Sequence, residues 1–223
     1  MSLHYATEIR SLFERLHSGI VTVDGIHPNA NPSTQIAFLH DIANKRLAAA
    51  SEGEFVEIKA WRRAYSLLGL KPTQYRCAAE ALLRRYRKGG EFPELHPLIS
   101  LCNAVSLAFA IPVAVFDLDR VTGDMTVRPA NGEEYYESFA GETEHPESGE
   151  IIFADTSGRA HARRWTHRQS GWSAVSSTTW RVMIVAEALH ETSREDITAL
   201  LSALTQSLCQ IWPEASVSVE DTM

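Results

Sequence analysis

The chain has no apolar run that approaches the ~20 residues needed to span a bilayer, and its N-terminus carries no signal-peptide pattern. Those absences set the expectation of a cytoplasmic protein without membrane segments. Cysteine is scarce: Cys77, Cys102 and Cys209 are odd in number and lack metal-ligand spacing, so they read as reduced thiols rather than a disulfide framework. There is no G-x-S-x-G, no P-loop and no H-E-x-x-H, and the 9 histidines are dispersed. A covalent-nucleophile hydrolase and a metalloenzyme are therefore not expected, and no cofactor is implied. The net charge of −7 argues against wholesale coating of nucleic acid, while leaving room for a local basic patch. No internal repeat and no low-complexity segment is present.

What is there suits a single domain of 223 residues with an ordinary core. Ile9, Leu12, Phe13 and Leu16 mark a short amphipathic helix over 5–16, and the alternation from Gly19 to Ile26 predicts a strand. Helices follow at about 33–50, capped by Asn31 or Ser33, at 55–68, and at 74–88 with Thr73 as its cap. Pro97 opens a helix over 97–110. Short strands then predominate, at 113–118, 124–128, 150–154, 160–164 and 179–186, separated by glycine turns. Val182 to Ala186 has no polar side and should be a central strand covered on both faces. Ile197, Leu200, Leu201, Leu204, Leu208 and Ile211 define a last helix, with a frayed tail from Glu214. Helices gather early and strands late, so the expected class is α+β with a mixed sheet. The expected layout is a helical N-terminal extension over 1–72, a core over 73–190, a packing helix over 191–213 and a tail over 214–223.

Four features have chemical potential. Arg84, Arg85, Arg87 and Lys88 crowd a helix end before Gly89-Gly90, where they serve either the helix dipole or a phosphate backbone. Arg159, His161, Arg163, Arg164, Trp165, His167, Arg168 and Trp172 mix cations with aromatics, either as a site for phosphate or a stacked base or as a solvated edge strand. Glu187 ends the most apolar strand, where a carboxylate is costly unless paired or exposed. Asp117 and Asp119 follow a strand without a third ligand, and read as turn-forming rather than metal-binding.

The order of Asn103-Ala104-Val105, Pro112-x-x-x-Phe116-Asp117-Leu118-Asp119, Gly123-Asp124, Gly132-Glu133, Gly141, Ile152-x-x-Asp155 and Thr178-Thr179 resembles the editing domain in the beta chain of bacterial phenylalanyl-tRNA synthetase. Free-standing relatives of that domain are similar at Lys88-Gly89-Gly90, Pro93, Asn103-Ala104-Val105-Ser106 and Arg163-Arg164-Trp165-x-x-Arg168-Gln169-Ser170. The resemblance covers roughly 75–190. It implies hydrolysis of the ester that joins a misattached amino acid to the tRNA 3′ end, with tRNA and an amino acid as partners. By register it places the family's pocket glutamate on Glu187, a pocket proline on Pro112, a pocket threonine on Cys102 beside Asn103, and the pocket histidine on Ala114. An imidazole is thus missing from that place, for which His167 or His161 would have to substitute. Arg168 is expected in the pocket, and Arg84, Arg85, Lys88, Arg163 and Arg164 on the RNA. The alternative is a module that binds tRNA or an amino acid and has lost the reaction.

Overall fold

A computed structural model describes residues 1–89 and 96–222, so Gly90 and Pro93, named above, lie outside the described residues. In chain order the elements are β1 (Leu3–Tyr5), α1 (Thr7–Leu12), β2 (His17–Asp24), α2 (Ser33–Ala49), α3 (Val56–Leu67), α4 (Ala78–Arg87), α5 (Pro97–Phe109), β3 (Val113–Asp117), β4 (Met125–Pro129), β5 (Tyr135–Glu137), β6 (Thr143–Glu144), β7 (Ile151–Asp155), β8 (Arg159–Arg163), β9 (Arg168–Gln169), β10 (Arg181–Ala188), α6 (Ser193–Ile211) and β11 (Ser216–Thr222). The class is α+β, as expected. No helix among the described residues is long and apolar enough to cross a membrane.

The chain forms two compact units, each assembled from two segments. The first contains Met1–Glu14 and Phe116–Ala174; the second contains Arg15–Val115 and Val175–Met223. The N-terminal 72 residues are therefore not a helical extension. They give β1 to the sheet of the first unit and β2 to that of the second.

The second unit is built on a sheet in the order β11-β2-β10-β3. Strand β10 lies antiparallel to β2 over its full length, from Arg181 opposite Asp24 to Ala188 opposite His17. Its central place explains its sequence: after Arg181 every residue is buried. Val182, Ile184, Ala186 and Ala188 join one apolar cluster with Val21 and Val23 of β2, Leu98, Leu101 and Val105 of α5, and Ile197, Leu200, Leu204 and Leu208 of α6. Each fully buried Leu, Ile or Val contributes roughly 1.5–3 kcal/mol. By the two-residue period of a strand, Met183, Val185 and Glu187 occupy the opposite face. Gly19 permits the approach of α6, because a Cβ there would lie 2.7 Å from the Leu201 methyls. The turn out of α5 is closed by Ala110 in the left-handed region at φ 57°, while Ser106 Oγ donates to the Ile111 carbonyl at 2.7 Å. Together they set the direction in which Pro112 enters β3.

Two expectations are corrected here. The tail is not frayed, because β11 pairs antiparallel with β2. Helix α4 starts at Ala78 rather than 74: the chain after Gly69 makes a turn in which the Gln74 and Tyr75 amides both donate to the Lys71 carbonyl, and Thr73 caps nothing.

The first unit holds a mixed sheet in the order β1-β4-β7-β8-β5-β6, with β9 on β8. Pairs β1–β4 and β5–β8 are parallel, and β4–β7 and β7–β8 antiparallel. After β8 the chain passes through Arg164 and Trp165, both at positive φ, which turns the Trp165 ring inward against Phe13 at 5.0 Å between centroids. Asp117 Oδ1 accepts from the Asp119 amide at 3.0 Å, closing the turn after β3 as expected for a structural acid pair.

Candidate functional site

Glu187 is 2% exposed, on the face of β10 opposite the apolar cluster. Its amide donates to the carbonyl of Pro112 at 3.3 Å. Strands β3 and β10 are neighbours, so Ala114 and Glu187 sit on adjacent strands of one sheet. Asn103, half-buried, and Cys102, 3% exposed, lie on α5. Burial pushes the Cys102 thiol up to about 12, and it belongs to the apolar cluster that covers the other sheet face. The second unit therefore gathers five of the residues singled out from sequence. Pro112 and Glu187 are joined directly through the backbone.

The basic helix end is less available than its composition implies. Arg84 Nη1 and Arg87 Nε donate to Glu52 at 3.2 and 2.8 Å. Glu52 is 2% exposed and sits in the short 3₁₀ turn before α3. Burial opposes its ionisation, but a backbone hydrogen bond and Arg87 and Arg84 outweigh that and hold its carboxyl below the usual range. Arg85 and Lys88 point outward as exposed residues. Among the described residues no ion pair engages Lys88.

In the first unit the residues of the second basic cluster separate. Arg163 is 5% exposed. Its guanidinium makes a bidentate pair with Glu150 at 2.9 and 2.8 Å and a further bond to Glu144 at 2.5 Å. The hydrogen bond that Arg163 donates to Glu150 raises the Arg163 pKa despite burial. Its expected role on phosphates is corrected: the charge is consumed inside the unit, where it ties β8 to the segments that carry both glutamates. Trp165 is fully buried, which removes it as a stacking platform. Arg168 remains 40% exposed while pairing with Glu144 at 2.8 Å, and Arg164 and His167 are half-buried. The Arg159 guanidinium lies 3.9 Å over the Trp172 ring.

One constellation escaped the sequence. His161 Nδ1 lies 2.8 Å from Ser173 Oγ, and its Nε2 lies 3.2 Å from Asp155 Oδ2. Burial opposes ionisation of Asp155, but hydrogen bonds from His161, Ser157, Thr122 and Arg159 hold its carboxyl well below the usual range. The order serine–histidine–aspartate has the form of a triad. However, Ser173 and His161 are 0% exposed, so the serine is out of reach of a substrate. The relay fastens the β7–β8 hairpin to the segment after β9. This burial also removes His161 as a stand-in for the imbalance at Ala114.

Among known proteins, the family model of the B3/4 domain matches residues 60–203. A solved structure, an N-terminal fragment of the phenylalanyl-tRNA synthetase beta-subunit from Pyrococcus horikoshii, is similar with a TM-score of 0.53 and 9% identity. The similarity covers 100% of this chain and 54% of that one, so the chain spans about half the length of the fragment. At that identity the likeness is one of fold. No curated protein sequence matches the chain.

Proposed function

The chain belongs to the B3/4 domain family, and on that premise we propose that it is an editing-type hydrolase that releases a misattached amino acid from tRNA. The observation that carries this reading is Glu187, a carboxylate buried at 2% exposure on a central strand and joined through its amide to Pro112. A carboxylate closing an otherwise apolar strand, beside the proline that opens the neighbouring one, is the kind of position at which ligand binding or chemistry is found.

An aminoacyl ester is already activated, so placing a water and stabilising the developing oxyanion suffices without a covalent intermediate. Water oxygen bonds to the acyl carbon, the bond from that carbon to the ribose oxygen breaks, and the ribose oxygen takes a proton. Glu187 holds the α-ammonium of the amino acid or orients the attacking water. Pro112 and Ala114, on the strand beside Glu187, shape the amino-acid side of the site, while Cys102 packs in the apolar cluster on the other face and is not part of it. Arg85 and Lys88 hold phosphates, with Arg84 adding its charge from the Glu52 pair. With alanine at 114, no imidazole from that strand position selects a phenolic hydroxyl, so tyrosyl ester is not the preferred substrate.

The test is release of amino acid from a panel of mischarged tRNAs by the wild type and by Glu187→Ala. The expected result is release that falls about 100-fold in the variant; equal rates, or none above background, would sink the catalytic assignment. The second reading is a module that binds tRNA and lacks the reaction, favoured by Ala114 and the net charge of −7. It predicts tRNA binding with steep salt dependence and no release.

A further inference from the structure

Away from the residues assigned above, the second unit brings together Glu57 of α3, His190 of the β10–α6 connection and Asp196 of α6. One donor atom from each lies within 4.8 Å of one from each of the others. Glu57 is 7% and His190 3% exposed. Two atoms of this cluster stand out: Glu57 Oε2 and His190 Nδ1 are both buried without a hydrogen-bond partner among the described residues. Their sister atoms are engaged. Arg46 Nη2 donates to Glu57 Oε1 at 2.6 Å, and His190 Nε2 lies 2.6 Å from Asp196 Oδ2, which also accepts from Thr192 Oγ1 at 2.7 Å. Burying an unpaired carboxylate oxygen and an unpaired imidazole nitrogen in one place is unfavourable unless something bonds to both.

We propose that this cluster is a site for one divalent transition-metal ion of the zinc or manganese class. With Nε2–H donating to Asp196, the lone pair of His190 resides on Nδ1, the arrangement in which a carboxylate fixes the tautomer of a metal-binding imidazole. Arg46 fixes the Glu57 carboxylate in the same sense, through its other oxygen. Imidazole with carboxylate suits first-row ions rather than magnesium. A spread of 4.8 Å is wider than donors around bonds of roughly 2.0–2.2 Å require. Asp196, whose Oδ2 takes the Nε2–H, positions the imidazole, so Glu57 Oε2 and His190 Nδ1 are the ligand atoms and water would complete the shell. His190 also lines a cavity of about 270 Å³, together with Arg15, Lys59, Arg63, Glu191 and Thr192.

The test uses the full chain carrying Cys209→Ser, which removes the one exposed thiol, stripped with chelator and titrated with Zn²⁺ by calorimetry. The expected result is one Zn²⁺ per chain, with affinity reduced at least 100-fold by His190→Ala and at least 10-fold by Asp196→Asn. Glu57→Gln, nearly isosteric, is the second variant if His190→Ala does not fold by circular dichroism. Co²⁺ in place of Zn²⁺ should give visible d–d bands that are lost in the same variants. No binding, binding equal in wild type and variants, or binding of Mg²⁺ alone would overturn the proposal. None of these readouts needs tRNA, so the result is independent of the editing reading.

Discussion

In the unit formed by Met1–Glu14 and Phe116–Ala174, buried charge is matched to buried charge. Arg163 is shared between Glu150 and Glu144, Arg128 meets Glu134, and Asp155 accepts from Thr122, Ser157 and Arg159 while facing His161. The unit of Arg15–Val115 and Val175–Met223 does the same on its helices, where Glu80 pairs with Arg62 and Glu52 with Arg84 and Arg87. Around β10 it does not: Glu57 Oε2 and His190 Nδ1 have no hydrogen-bond partner among the described residues. The difference teaches where polar groups hold the fold and where they are left to hold something else.

The largest expected effect tests the matched side. Arg163→Met should lower unfolding free energy by about 3 kcal/mol, because it removes the bidentate partner of buried Glu150 and leaves it, among the described residues, only Arg164, whose guanidinium is 3.9 Å away. Urea unfolding measures it, and a loss under about 1 kcal/mol would mean that the pair is not the buried tie described.

A smaller effect concerns acid. The carboxyls of Asp155, Glu134 and Glu150 are all held below their ordinary range, against the opposing effect of burial. A lowered native pKa gives stability that is present above the unfolded value and lost as pH falls through the native one. Thermal stability should therefore drop below about pH 4. The gap in Tm between wild type and Asp155→Asn should be full at neutral pH and narrow toward strong acid. A gap that stays constant with pH would remove Asp155 ionisation from the account.

The smallest effect is chemical. Burial pushes the Cys77 and Cys102 thiols up to about 12, and Cys209 is exposed. Titration of the native protein with a thiol reagent should show one fast site and two slow ones. Rapid labelling of Cys102 would show that the α5 wall of the second unit is open rather than packed.

The elements legible in the sequence are those with strong apolar patterns. Val182 to Ala186 foretold a central strand, and the spacing of Ile197, Leu200, Leu204 and Leu208 foretold α6. Strand β11 was not legible, because Val217 and Val219 alone break a polar run and the strand exists through pairing with β2. Three-residue β1 likewise depends on β4. Among site residues, Glu187 was visible as an acid closing an apolar run. The fates of Arg84, Arg87 and Arg163 were not, since the glutamates that engage them lie between 13 and 35 positions away. The same limit hid Asp155, His161 and Ser173, and the Glu57, His190 and Asp196 cluster, whose members come from separate elements. Local sequence carries periodicity; which distant acid neutralises which base is decided by topology.

The central claim is that the acid on β10 serves a substrate, and Glu187→Gln tests it most directly, since it keeps shape and removes charge. Single-turnover release of amino acid from the mischarged tRNA that the wild type cleaves best should fall about 100-fold, while urea unfolding shifts by less than about 1.5 kcal/mol. Unchanged release in a folded Glu187→Gln protein would contradict the account.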